Sequence, residues 1–182
     1  MTKILLVRHG EAAKSPTDAD PSLTELGFQQ AHALAERYAD AERFELVSSP
    51  KARARQTAQP LADLWQSPLH IEPAVIEIPS PAGIALNERG TWLRSFLQSG
   101  WSGIEPNQAE WRRATLQYLR DIEQDTAVFC HFMVINSVVA HLRGDDRVQQ
   151  FRPDYTSVTE LRLEGGKLEL ARLGEERRSR IL

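Results

Sequence analysis

Four side chains in this sequence combine the chemical types that phosphoryl transfer requires. They are the adjacent pair Arg8 and His9, a second arginine at Arg53, and a second histidine at His131. A neutral imidazole nitrogen is a good nucleophile toward phosphorus when its other nitrogen keeps the proton. Planar guanidinium groups hold phosphate oxygens through paired hydrogen bonds. The spacing of these residues matches no metal-ligand motif, so we expect a chemistry without a metal ion.

Each of these residues follows a predicted strand. The strands are Lys3–Val7, Phe44–Ser48 and Ala127–His131, which are short apolar runs typical of strands buried on both faces. Helical patterns alternate with them along most of the chain. This alternation predicts an α/β fold, a three-layer sandwich with a mainly parallel central sheet and helices on both faces. Carboxyl ends of parallel strands meet at one edge, so the four side chains should converge there.

The remaining predicted elements lie between and after these strands. They are helices from Thr24 to about Ala39, from Pro50, from 108 to 123 and from 134 to 142, extended segments at 69–71 and 75–78, and a hairpin of 159–163 and 168–171. Segment 79–110 is rich in proline and glycine and is predicted to be an irregular lid. We expect Arg89 and Arg94, inside this segment, to lie on a solvated face. The alternative is that they bind a second anionic group of a substrate.

Composition limits the function classes. The chain has 182 residues, of which 41% are hydrophobic, and this favours one domain spanning residues 1–182. A net charge of −3 argues against a nucleic-acid partner. The apolar runs are too short for a membrane span or a signal peptide, so we expect no membrane partner. A single cysteine, Cys130, suits a cytoplasmic location. The oligomeric state is left open.

These motifs resemble those of the histidine phosphatase superfamily, also called phosphoglycerate mutase-like. The resemblance rests on the ordered motifs Leu6–Glu11 (LVRHGE), Leu23–Ala31 (LTELGFQQA), Ser48–Ala58 (SSPKARARQTA) and His131 after a strand. It implies that His9 is the nucleophile that becomes phosphorylated. It also implies that Arg8, Arg53 and His131 bind the transferred phosphoryl group. Gly10 and Ser15 complete the implied substrate-binding set.

The resemblance further implies a glutamate as proton donor, in the segment that follows the second helix. Glu77, at the end of Val75-Ile76-Glu77, is the expected donor because of its spacing from Arg53. Glu88 is the alternative, since mutases of the family carry their glutamate in a string similar to Leu86-Asn87-Glu88-Arg89. The acid protonates the leaving oxygen and then helps water attack the phosphohistidine.

The sequence departs from the family pattern in three places. Phe132 follows the second histidine where the family often has glycine, and Ser15 stands where many members have asparagine. Ile78-Pro79-Ser80-Pro81 replaces a common Gly-x-Trp-Glu-Gly stretch, and the long insertion of cofactor-dependent mutases is not recognisable. We therefore expect hydrolysis without cofactor rather than mutase activity. The stretch between Arg53 and His131 leaves room for a lid, so the expected substrate is a small phosphorylated metabolite. A protein phosphohistidine phosphatase, or a phospho-ligand-binding module without turnover, is the alternative.

Overall fold

Six strands form one sheet in the computed structural model, which describes residues 1–177. In chain order they are β1 (Thr2–Arg8), β2 (Glu45–Ser48), β3 (Leu69–Ile71), β4 (Thr126–Cys130), β5 (Val158–Glu164) and β6 (Lys167–Arg172). Their order across the sheet is β3-β2-β4-β1-β5-β6. The first four strands in this order pair in parallel, and β5 pairs antiparallel with both β1 and β6. The predicted mainly parallel sheet is thus confirmed.

Within residues 1–177, five α-helices cover the two faces of the sheet. They are α1 (Glu25–Tyr38), α2 (Ala52–Trp65), α3 (Arg89–Phe96), α4 (Pro106–Arg120) and α5 (Phe132–Arg143). Alternation along β1 divides the core: Leu5 and Val7 pack with α1 and α2, whereas Ile4 and Leu6 pack with α4 and α5. This arrangement confirms the three-layer sandwich. No helix within residues 1–177 is long and apolar enough to cross a membrane.

Two local predictions were wrong in part. Residues 75–78 were expected to be extended, but Val75 belongs to a 3₁₀ turn, Pro73–Val75, in which the Glu72 side chain accepts a hydrogen bond from the backbone N–H of Ala74; Ile76 is extended as expected. Pro73 fixes φ and donates no ladder hydrogen bond, so it favours the turn. Segment 79–110 was expected to be irregular, but it contains α3 and the first residues of α4. Its function as a lid stays a prediction, as does the single domain, whose residues 178–182 lie outside the described part.

Candidate active site

The ends of three parallel strands bring two histidines and a serine to one edge of the sheet. His9 follows β1, Ser49 follows β2 and His131 follows β4. The ring centroids of His9 and His131 lie 5.4 Å apart, with the rings inclined at 61°. The structure therefore brings together the two histidines that the motifs singled out.

The turn after β1 fixes the protonation of His9. Its Nδ1 lies 2.6 Å from the carbonyl oxygen of Gly10, which can only accept a hydrogen bond, so Nδ1 carries the proton and Nε2 keeps its lone pair. Burial, followed by the positive charges of Arg8 and Arg53, lowers the pKa of His9 to about 3. The ring is neutral near pH 7, with Nε2 free to act as a nucleophile.

Gly10 is held between two helices. Its backbone N–H donates to Oγ1 of Thr57 at 2.9 Å, and that hydroxyl donates to the carbonyl oxygen of Arg53 at 2.7 Å. A Cβ at Gly10 would lie only 2.8 Å from the carbonyl oxygen of Gly27 in α1. Gly10 thus permits the close approach that positions His9, and its N–H is already engaged within the protein.

Arg8 lies beside His9 in an aromatic environment. Its Nη1 donates to the carbonyl oxygen of Pro153 at 2.9 Å. The guanidinium carbon lies 4.2 Å from the ring centroid of Tyr155 and 5.3 Å from that of Phe132. Burial lowers the pKa of Arg8. Its Nε is also buried, and it has no hydrogen-bond partner in the described part of the chain.

Arg53 and Glu77 complete the charge distribution around the histidines. Arg53 lies in the first turn of α2, and its charge contributes to lowering the pKa of His9, His131 and Glu77. Burial outweighs that contribution at Glu77 and raises the pKa of its carboxyl group. One carboxylate oxygen of Glu77 accepts the backbone N–H of Ile78 at 3.0 Å. A raised pKa favours the protonated form, which a proton donor needs.

His131 is fully buried and bonded to Ser49. Its Nε2 lies 2.8 Å from Oγ of Ser49, and Oγ also accepts the backbone N–H of Lys51 at 3.2 Å. Burial, followed by the charges of His9 and Arg53, keeps the pKa of His131 well below its usual range. Nδ1 of His131 is buried without a hydrogen-bond partner among residues 1–177.

Other predicted residues lie elsewhere or in different surroundings. Glu88 is exposed at the end of a 3₁₀ turn. The Ser15 hydroxyl accepts the backbone N–H groups of Thr17 and Asp18, so it stabilises its own loop. Arg94 is exposed, as expected.

The expectation of a solvated face was wrong for Arg89. This partly buried side chain donates to Oγ of Ser80 at 2.8 Å and to the carbonyl oxygen of Ile78 at 2.5 Å. Its charge also acts on the carboxyl group of Glu77 and contributes to lowering the pKa of that group. Arg89 therefore secures the loop that bears Glu77.

Sequence reasoning gave no role to Ser49, Tyr155 or Arg89. Ser49 lies inside one of the motifs, at the end of a predicted strand, and this position was the available signal. Tyr155 lies in a loop before β5, where no periodicity or spacing relates it to Arg8. Together, the neutral imidazole of His9, two guanidinium groups, a second imidazole and a carboxyl group of raised pKa provide the groups that accepting and releasing a phosphoryl group requires.

Comparisons with known proteins agree with this geometry. The family model described as the histidine phosphatase superfamily (branch 1) matches residues 4–176. A probable phosphoglycerate mutase GpmB from Yersinia pestis (strain Pestoides F) is 34% identical over 83 residues, which are 43% of this chain and 39% of that protein. The matched part thus spans about two fifths of the length of these curated relatives.

Solved structures resemble the whole fold. A phosphoserine phosphatase from Entamoeba histolytica, in complex with 3-phosphoglyceric acid, has a TM-score of 0.73 and 25% identity, covering 97% of this chain and 98% of that one. The alpha-ribazole phosphatase from Shigella flexneri has a TM-score of 0.73 and 20% identity, covering 96% of each chain. The motifs, the fold and the family match lead to one conclusion: this chain belongs to the histidine phosphatase superfamily.

Proposed function

We propose that this protein is a metal-independent phosphatase that hydrolyses a small phosphorylated metabolite through a phosphohistidine at His9. The hydrogen bond between Nδ1 of His9 and the carbonyl oxygen of Gly10 is the observation on which the proposal rests most. It leaves a lone pair on Nε2 of a neutral ring that two arginines flank. An attacking nitrogen and cations for the phosphate oxygens are thus present together.

The first proposed step is phosphoryl transfer to the enzyme. Arg8, Arg53 and His131 bind the oxygens of the phosphoryl group, and Nε2 of His9 forms a bond to phosphorus. The bond between phosphorus and the leaving oxygen breaks, and Glu77 gives its proton to that oxygen. Preorganised donors of this kind typically contribute about 10²–10³ in rate each.

The second proposed step is hydrolysis. Glu77, now a carboxylate, takes a proton from water as the water oxygen attacks phosphorus. The bond between phosphorus and Nε2 of His9 breaks, inorganic phosphate leaves, and Glu77 is protonated again for the next turnover. The exposed position of Glu88 favours Glu77 in this role.

The proposed substrate class follows from the neighbours and from the wall of the site. Two of the similar solved proteins carry names that point to small substrates: one is called a phosphoserine phosphatase and the other an alpha-ribazole phosphatase. Segment 79–110 borders the loop of Glu77 through Arg89, which favours a walled site over one open to a protein surface. We propose neither nucleic acid nor a membrane as a partner.

A phosphoglycerate mutase is the second candidate, because the partial match to GpmB points to it. Both reactions begin with the same phosphohistidine. They differ in the acceptor, which is water in the phosphatase and a second substrate hydroxyl in the mutase. Release of inorganic phosphate from 3-phosphoglycerate, without formation of 2-phosphoglycerate, distinguishes the phosphatase.

The test is hydrolysis of an aryl phosphate in EDTA by the wild type and by His9→Ala. We expect the wild type to keep its activity under chelation and to form an acid-labile phosphoenzyme with radiolabelled substrate. We expect His9→Ala to lose both. Activity that requires a metal ion, or that persists without His9, would overturn the mechanism. A panel of small phosphorylated metabolites, including phosphoserine, then ranks substrates.

A further inference from the structure

The guanidinium group of Arg8 lies over two aromatic rings. The ring centroid of Tyr155 is 4.2 Å from its central carbon and that of Phe132 is 5.3 Å from it. Arg177 lies against Tyr155 as well, with its guanidinium carbon 5.1 Å from the ring centroid. We call Phe132 and Tyr155 the aromatic clamp.

One loop holds both the backbone and the side chain of Arg8. Its backbone N–H donates to the carbonyl oxygen of Ser157 at 3.1 Å, and its carbonyl oxygen accepts the N–H of Thr156 at 2.9 Å. Pro153, in the same loop, accepts the hydrogen bond from the guanidinium group. Thr156 has a φ of 56°, in the left-handed region that a β-branched residue rarely adopts. The surrounding contacts therefore determine the shape of this loop and the position of Tyr155.

The chain near its C-terminus supports that loop. The backbone N–H of Arg177 donates to the carbonyl oxygen of Arg152 at 2.7 Å. The backbone N–H of Asp154 donates to the carbonyl oxygen of Glu175 at 2.9 Å. Glu176 forms an antiparallel bridge with Pro153. Backbone hydrogen bonds of this kind hold the loop independently of the Tyr155 side chain.

The contacts of the Arg8 side chain leave most N–H donors of its guanidinium group without a partner in residues 1–177. Within residues 1–177 its guanidinium group donates to Pro153 and forms no salt bridge. A carboxylate partner would stabilise the buried cation but would occupy the N–H groups in the guanidinium plane. Aromatic rings attract the cation through its faces and leave that edge open.

We propose that Tyr155 and Phe132 are positioning residues, which fix the plane of the Arg8 guanidinium group so that its free N–H edge meets the phosphoryl group. This inference rests on the proposed function, in which Arg8 binds that group. Phe132 stands where the superfamily often has glycine, so the second ring of the clamp is a departure of this chain from the family pattern. The clamp acts through Arg8. The ring of Tyr155 also lies near that of His9, with ring centroids 6.3 Å apart, but the positioning role is assigned through its shorter distance to Arg8.

The experiment measures the inhibition constant of inorganic phosphate and the KM for an aryl phosphate in Tyr155→Leu, Tyr155→Phe and the wild type. Cation–π contacts at desolvated sites predict that Tyr155→Leu raises both constants about 5- to 30-fold. Tyr155→Phe keeps the ring face, so its constants should stay within about threefold of the wild type. Tyr38→Leu is the matched control, because Tyr38 is a partly buried tyrosine at the end of α1. Thermal unfolding of each variant verifies the fold.

Three outcomes would overturn the clamp. The first is a folded Tyr155→Leu whose phosphate inhibition constant stays within twofold of the wild type. The second is a Tyr155→Phe as impaired as Tyr155→Leu, because the hydroxyl contact with Arg177 would then matter and the ring face would not. If Tyr155→Leu does not fold, Phe132→Leu replaces it. Because Phe132 is farther from Arg8, we expect Phe132→Leu to raise the phosphate inhibition constant only about 2- to 5-fold. The third outcome is an inhibition constant that does not change in Phe132→Leu.

Failure of the proposed function is distinguishable from failure of the clamp. A wild type that neither hydrolyses phosphate esters nor forms a phosphoenzyme contradicts the proposed function. The clamp is then measured by calorimetric titration of inorganic phosphate into the wild type and Tyr155→Leu. Weaker binding by the variant supports the clamp, whereas equal binding contradicts it.

Discussion

The hydroxyl oxygen of Ser49 lies 2.8 Å from Nε2 of His131, and both residues are fully buried. Because this oxygen accepts the N–H of Lys51, its own proton is free to point at Nε2. A neutral His131 that accepts at Nε2 carries its proton on Nδ1. We expect Ser49 to favour this tautomer by donating to Nε2, which leaves Nδ1 as a hydrogen-bond donor.

Replacing Ser49 by alanine should therefore impair turnover more than folding. Without the hydroxyl donor, His131 is free to adopt the tautomer that lacks a proton on Nδ1. We expect kcat/KM for an aryl phosphate to fall about tenfold, in line with the loss of one buried hydrogen bond. Ser48→Ala is the control, because Ser48 is equally buried but its hydroxyl donates to the carbonyl oxygen of Ser49. Equal loss of kcat/KM in both variants would contradict the tautomer role.

The identity of the proton donor is tested with Glu77→Gln and Glu88→Gln. We expect Glu77→Gln to lower kcat by about 10²–10⁴ for an alkyl phosphate, whose leaving oxygen requires a proton. The loss should be much smaller for p-nitrophenyl phosphate, whose leaving group departs as a stable anion. Glu88 is exposed, so Glu88→Gln should keep the wild-type kcat with both substrates. The reverse pattern would assign the donor role to Glu88.

The low pKa of His9 predicts an acid-sensitive fold. Its pKa is 6.5 in the unfolded chain and about 3 in the folded one, so between these values only the unfolded state binds the proton. The contribution of His9 to the free energy of unfolding is fully present above pH 6.5 and is lost as the pH falls toward 3. Lowering the pH from 7.5 to 5 should reduce the free energy of unfolding by about 2 kcal/mol through His9.

His9→Asn isolates this contribution in urea unfolding at the two pH values. The variant should lose about 2 kcal/mol less than the wild type. His131 titrates in the same direction and Glu77 in the opposite one, but both are present in the two proteins. Equal losses in wild type and variant would show that His9 is not held neutral by the fold.

Close packing between α1 and the turn after His9 predicts a strict requirement for glycine. A Cβ at Gly27 would lie 2.0 Å from the carbonyl oxygen of Glu11. We expect Gly27→Ala to lower the free energy of unfolding by about 1–3 kcal/mol, since the turn must move. Gly103→Ala is the control, because nothing lies within 4 Å of a Cβ there. Urea unfolding compares them, and equal stabilities would refute the packing argument.

The sheet and the convergence of the histidines could be predicted because local signals determine them. Strand β1 is a continuous apolar run, as burial on both faces requires, and its predicted core, Lys3–Val7, lies within the observed Thr2–Arg8. The parallel order then brings His9 and His131 to one edge. No knowledge of side-chain packing was needed for this step.

The neighbours of the arginines could not be predicted in this way. Arg89 donates to Ile78 and Ser80, and the guanidinium group of Arg8 lies over the ring of Tyr155, only because the tertiary fold brings these segments together. Sequence periodicity contains no information on such contacts. The 3₁₀ turn before Glu77 was missed for a local reason, since Pro73 outweighs the β-branched residues that follow it.

The hydrogen bond from Arg8 to Pro153 joins residues 145 positions apart in the chain. During synthesis, Arg8 leaves the ribosome 145 residues before Pro153, whose carbonyl oxygen holds its guanidinium group. Strand β1 likewise cannot pair until both of its neighbours in the sheet, β4 and β5, have been synthesised. Such non-local pairing slows folding. A nascent chain that still lacks the loop of Pro153 therefore exposes an apolar first strand and leaves the guanidinium group of Arg8 without this hydrogen bond.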